Sequence, residues 1–395
     1  MPQNAEATAF LERVSRLPVG PGVSLDDVLK PSLDDEAVLR KLFAQDKANP
    51  RLADKYVGLV DVFDAPKDIR TTRARVVAGD EDLNAKYVMP LPEARRRKEG
   101  SPAMVDTLDD FKQSWSVFTE GSLSQLTDWS NVVAAGGSVQ ACLAPVPESA
   151  KASKRSLRKY LHNKAFPSSD VDLFLYGLTP EQAEVKINTI YEAVRDSIPW
   201  DVTCIRTKHT VSIHSQYPYR AVQIVLRLYQ SPAEILAGFD VDAPCCVYDG
   251  SRVYANPRAI VAMMRQCNTV DVTRRSPSYE VRLTKYSNRD FEVFVPQLNR
   301  ADIDPTVSSL LFSSAIHGIL GLISISPHRF SSVPSSAFKD WPACLSSSAL
   351  QLPRIGRATF SPVGRFADAL SSKTAGGAFS RKSTRETSRR MRIRG

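Results

Sequence analysis

The chain has 395 residues, is 43% hydrophobic and carries a net charge of +9. That is enough apolar material for a substantial core in two or three units, and the basic balance favours phosphate-bearing partners without specifying a fold. The six cysteines form no CxxC pair and no Cys/His set at zinc-finger spacing, which argues against a metal-knuckle protein. The opening MPQNAEATAF lacks a basic stretch followed by an apolar core. A reduced intracellular compartment, cytoplasmic or nuclear, is the expectation.

Along residues 1–100, an N-terminal extension, short apolar runs alternate with Pro, Gly and charge. Ser32 to Ala44 predicts a helix capped by Ser32, with Val38, Leu39, Leu42 and Phe43 as its apolar stripe. Lys55 to Phe63 has strand character, and Glu93 to Gly100 (EARRRKEG) reads as a solvated charge run. The core is expected over 101–255. It starts with a helix from Thr107 to Leu126, apolar at Leu108, Phe111, Trp115 and Phe118. Asn131 to Leu143 (NVVAAGGSVQACL) predicts a short strand, a Gly-Gly turn and a helix start. Pro145 to Ser169 reads as a long, mobile basic connection, in which Tyr160 and His162 either stack on bases or sit in a solvated loop. Asp170 to Tyr176 is a strand, and Thr179 to Ile198 a helix with Thr179 as cap and Pro180 at its first position. Three β-like runs follow (VTCIRT, TVSIHS, AVQIVLRLY), then a short capped helix from Ser231 and a strand in VDAPCCVYDG with one of Cys245 and Cys246 buried and the other facing away.

Helices are expected at Asn256 to Cys267 and Ser276 to Tyr286, as a helical C-terminal appendage over 256–305. Arg274 to Tyr286 combines cations with two tyrosines, suited either to phosphate or base contact or to surface ion pairs. Residues 306–395 read as a low-complexity, disordered basic tail; Lys373 to Arg394 holds eight basic residues and one acid. Val307 to Ile325 has the length of a membrane span but carries five serines and His317, which favours a non-membrane reading. The fold class expected is α/β (α+β), a mixed sheet with flanking helices.

The feature that could carry chemistry is the turn Gly136-Gly137-Ser138 followed by Ser169-Asp170-Val171-Asp172. Residues two apart on a strand share a face, so Asp170 and Asp172 can hold one divalent cation. Mg²⁺ (or Mn²⁺) takes such hard ligands together with substrate phosphates, and a Gly-Gly turn lets phosphate approach the backbone.

This order of strand, Gly-Gly-Ser turn, helix and Asp-x-Asp strand resembles the nucleotidyltransferase superfamily, which includes poly(A) polymerases and CCA-adding enzymes. The resemblance covers roughly Val132 to Tyr254. It implies an NTP substrate and an RNA, protein or small-molecule acceptor. It assigns Gly136, Gly137, Ser138 and Ser169 to the nucleotide, and Asp170 and Asp172 to the metal and to catalysis. Family members carry a third carboxylate on a later strand, where this chain has Gln223. Asp240 is the candidate replacement, with Asp242 beside it as a nucleotide contact. The alternatives are a catalytically inactive module on the same fold, and a basic nucleic-acid-binding protein working through its loop and tail.

Overall fold

The computed structural model describes residues 3–76 and 86–299. The expected tail, the hydrophobic run at Val307 to Ile325 and the end of the appendage lie outside these residues. Two helices open the chain, α1 (Ala5–Ser15) and α2 (Asp26–Gln45). α2 starts ahead of the expected Ser32 cap and runs through Pro31. A proline here removes one backbone bond, but Val28 and Leu29, just before it, are buried and keep that turn packed. Ser32 instead accepts from Arg13 Nη2 at 2.8 Å. Leu39 and Phe43 are buried as the stripe requires, while Val38 is exposed.

The elements that follow are β1 (Val60–Asp61), α3 (Leu108–Thr119), β2 (Val132–Ala135), α4 (Gly137–Leu143), α5 (Glu148–Lys151), α6 (Lys154–Lys159), β3 (Val171–Tyr176) and α7 (Pro180–Ser197). Then come β4 (Thr203–Arg206), β5 (Thr210–His214), β6 (Val222–Tyr229), α8 (Pro232–Ala237), β7 (Cys246–Tyr248) and β8 (Val253–Ala255). α9 (Pro257–Arg265), β9 (Cys267–Thr269), α10 (Tyr279–Ser287) and β10 (Glu292–Phe294) complete them. α3 ends earlier than its apolar pattern suggests, because Glu120 and Gly121 adopt positive φ and break the helix. α7 begins as expected, with a capping box between Thr179 and Gln182.

Eight strands form one mixed sheet in the order β1-β8-β7-β2-β3-β6-β5-β4. The central β3–β6 pair is parallel, and its neighbours on both sides run antiparallel. β9 and β10 form a separate parallel pair. Both faces of the sheet are covered. Val132 and Ala134 of β2 and Leu173 and Leu175 of β3 point into a large core shared with α3, α4 and α9. The alternate residues Val133, Ala135, Phe174 and Tyr176 point into a smaller core shared with α2 and α8. This period-two division explains why both strands read as continuous apolar runs.

Three expectations change here. Residues 1–100 contribute β1 to the sheet edge and Phe10, Val14 and Ile69 to the main core, so much of this stretch is built into the domain. The basic connection folds into α5, α6 and a π-helical turn at Tyr160–Ala165. In it Arg158 pairs with Glu120, and the buried His162 ring shares a hydrogen bond with Val117 O, so neither residue stands free in a loop. The EARRRKEG run is tethered too: Arg95 pairs with Asp290, Arg96 with Glu292, and Arg97 donates to the Ala103 and Met263 carbonyls. Cys245 and Cys246 are both fully buried. The chain turns between them, so strand alternation does not apply to the pair.

Candidate functional site

The site is built where β2 hands over to α4, beside the start of β3. Gly136 has φ 86°, a left-handed value that a side chain strains to adopt. A Cβ there would also meet the Phe239 ring at 3.3 Å. At Gly137 a Cβ would meet Arg289 Nη1 and the Tyr286 hydroxyl at 3.2 Å each. The two glycines therefore let Phe239, Arg289 and Tyr286 pack directly against the turn. Ser138 follows, fully buried, with its Oγ free of any hydrogen-bond partner.

Asp172 lies opposite Ala135 on β2 and Gln223 on β6. Asp170 is exposed just ahead of β3, and Gln223 Nε2 donates to its Oδ2 at 3.0 Å. The amide at the expected third-carboxylate position thus orients one acid of the pair. Neither Asp170 nor Asp172 forms an ion pair among the described residues. Burial, reinforced by the neighbouring Asp170, pushes the Asp172 carboxyl up to about 6; Lys285 opposes the shift. Two acids held together without a counter-cation are costly, and a divalent ion relieves that cost.

The loop into β3 is fixed from behind. The buried Arg220 guanidinium donates to the carbonyls of Leu161, Phe166 and Ser169, and to Phe118, whose ring it also covers at 3.9 Å. Ser169 Oγ accepts from Arg289 Nη2, while Arg289 Nη1 is buried without a partner. Burial and then Arg289 lower the Lys285 pKa, with Asp172 and Asp170 opposing. Lys285, Tyr286 and Arg289 therefore belong to the site although the motif did not contain them. Their only sequence signal was the mixture of cations and tyrosines before Tyr286.

The structure brings Gly136, Gly137, Ser138, Ser169, Asp170 and Asp172 together. Asp240 and Asp242 are engaged elsewhere. Arg282 and Ser276 bind both oxygens of Asp240. Asp242 is buried, with Oδ1 on Arg258 Nη1 at 3.1 Å and Oδ2 accepting from the Thr269 amide at 2.9 Å. Each acid is spoken for, and no group of three or more His, Cys, Asp or Glu is placed to hold a metal among the described residues. No helix among them is long and apolar enough to cross a membrane.

Two carboxylates that form no ion pair among the described residues, with the orphaned Ser138 Oγ beside the two-glycine turn, fit a divalent cation carrying phosphate. Comparison with known proteins falls on the same region. Residues 109–266 match a family described as Gad2, Gabija anti-defense 2 family protein. An uncharacterized protein of Acanthamoeba polyphaga mimivirus is 33% identical over 161 residues, covering 36% of this chain and 35% of that protein. The chain thus spans about a third of the length of the curated relative it matches, and the family match covers the Gly136-Gly137-Ser138 turn and the Asp170–Asp172 pair.

Proposed function

We propose that this site binds a nucleoside triphosphate with Mg²⁺ or Mn²⁺ and transfers its nucleotidyl group to a hydroxyl acceptor. The observation that carries the reading is the Asp170–Asp172 pair, which forms no ion pair among the described residues, beside the Gly136-Gly137 turn with Ser138 Oγ left without a partner. Asp170 and Asp172 would hold the metal, which when bound bridges phosphates and neutralises charge developing in an in-line displacement. Gln223 keeps the Asp170 carboxylate oriented. Ser138 Oγ donates to a phosphate oxygen, whose charge Lys285 offsets. Arg220 keeps the 161–169 backbone in place, so the pair is preorganised rather than assembled on binding.

A second reading, nucleotide capture without transfer, is favoured by one observation: the third strand position holds the neutral Gln223. Incorporation of label from each of the four NTPs with Mg²⁺ or Mn²⁺ tests both, using total RNA and the protein as acceptors. Label seen with the native chain and absent with Asp170→Ala/Asp172→Ala supports transfer. Stabilisation by metal–NTP without incorporation selects capture. Neither effect sinks both readings. The family similarity brings a biological setting, and we infer that the chain counters a Gabija-type defence. Bacteria protected from phage by Gabija should lose protection on expressing the chain, and unchanged protection would reject that role. The same double variant shows whether the carboxylates are required.

A further inference from the structure

A cavity of about 1000 Å³ lies among α3, α4, the α5–α6 connection and the stretch that joins α10 to β10; Asp170 and Asp172 do not line it. Most charged groups on its wall are already satisfied. Arg95 pairs with Asp290, Lys151 with Glu148 at 2.7 Å, and Asp106 with Lys67 at 2.9 Å. Arg97 is bound to two carbonyls, and Asp110 completes the capping box of α3.

Three groups on the wall are left over. Gln140 is 2% exposed, and its Oε1 has no hydrogen-bond partner. Arg289 Nη1 is likewise buried and unpartnered. Exposed Lys164 forms no ion pair among the described residues. An unmet buried amide oxygen costs about 1–3 kcal/mol, and it asks for a donor. The two cations ask for an anion. Between these groups the wall is apolar and aromatic, with Phe166, Tyr160, Leu157 and Met104. A ligand that answers all of this has a flat ring carrying an N–H donor and an anionic group at its other end.

We propose that this cavity is a second nucleotide site, separate from the carboxylate pair, and that it takes a nucleoside monophosphate. The base lies against Phe166 and Tyr160 and donates to Gln140 Oε1. The phosphate is held by Arg289 Nη1 and Lys164. No metal is needed, because the cations come from the protein. Arg289 also donates through Nη2 to Ser169, next to Asp170.

The test is calorimetric titration of the full chain in EDTA with AMP, GMP, CMP and UMP separately. At least one should bind saturably. Gln140→Leu should weaken that binding at least tenfold, and Lys164→Ala by a smaller factor that shrinks as salt rises. Leucine removes the unmet oxygen, so thermal unfolding of Gln140→Leu should be no worse than native and shows that the variant is folded. Asp170→Asn/Asp172→Asn should bind the monophosphate as the native chain does, which separates this proposal from the metal–NTP reading. The proposal is overturned if no monophosphate saturates below about 1 mM. It is equally overturned if binding survives Gln140→Leu and Lys164→Ala but is lost in the Asp170/Asp172 variant.

Discussion

Among the described residues the chain carries two Asp-x-Asp pairs, and their surroundings are opposite. Asp170 just ahead of β3 and Asp172 within it have an amide as neighbour and form no ion pair among the described residues. Asp240 and Asp242 lie in the turn between α8 and β7, and each is taken by a different arginine, Arg282 and Arg258. Identical spacing therefore has two meanings. In one case the fold leaves the carboxylates out of any ion pair among the described residues. In the other it consumes the charge to join elements. Arg258 shows how far this goes: it is 1% exposed and ties Asp242, Glu36 of α2 and the carbonyls of Leu236 and Phe239 into one network.

The largest effect expected from breaking the contrast is at Asp242. Asp242→Ala leaves Arg258 buried with one partner fewer, and urea unfolding should show a loss of about 3–5 kcal/mol. A loss below about 1 kcal/mol would mean that Glu36 and the carbonyls suffice. Asp172→Asn should act in the opposite direction. The half-buried carboxylate is disfavoured by burial and by Asp170, so in EDTA at neutral pH its neutral isostere should gain roughly 2 kcal/mol. A destabilised Asp172→Asn would show that the acid is a structural partner like Asp242.

This is also where sequence reading reached its limit. The strand, the Gly-Gly turn and the capped α7 were legible, because alternation, glycine and Thr-Pro-x-Gln are local signals. The placing of Asp170 and Asp172 two residues apart at the head of one strand followed from strand periodicity. What periodicity could not supply was the partner of each acid. Arg282 and Arg258 arrive from α10 and α9, Lys285 comes from α10 and Arg289 from just past its end, all later in the chain. β8 and the β9–β10 pair were missed for the same reason: strands of three residues are specified by their neighbours. The Ser32 cap misled in the other direction, since the helix starts earlier, at Asp26, and runs through Pro31 with Val28 and Leu29 buried.

Gln223→Asp sharpens the contrast by adding the acid that the first pair lacks. In EDTA the variant loses the amide bond to Asp170 and gains a like charge, so it should unfold more easily by about 1–2 kcal/mol. With Mg²⁺ or Mn²⁺ the order should reverse, and metal affinity should rise on the order of tenfold, read by titration. If the metal has no effect on this variant, the face does not form a cation site.

The smallest effect belongs to Asp240. Its ion pair with Arg282 is only part-buried, with 39% of the arginine side chain exposed, so solvent already screens it. Asp240→Asn keeps an oxygen for Ser276 or Arg282 and should cost about 0.5–1 kcal/mol, a loss that fades in high salt. Because Arg282 sits on the same helix as Lys285, the variant also tests whether α10 is held in register by this pair. Metal–NTP stabilisation unchanged in Asp240→Asn would place the acid in the scaffold alone. Stabilisation lost together with little loss of fold would mean that the second pair serves the first by holding its cations in place.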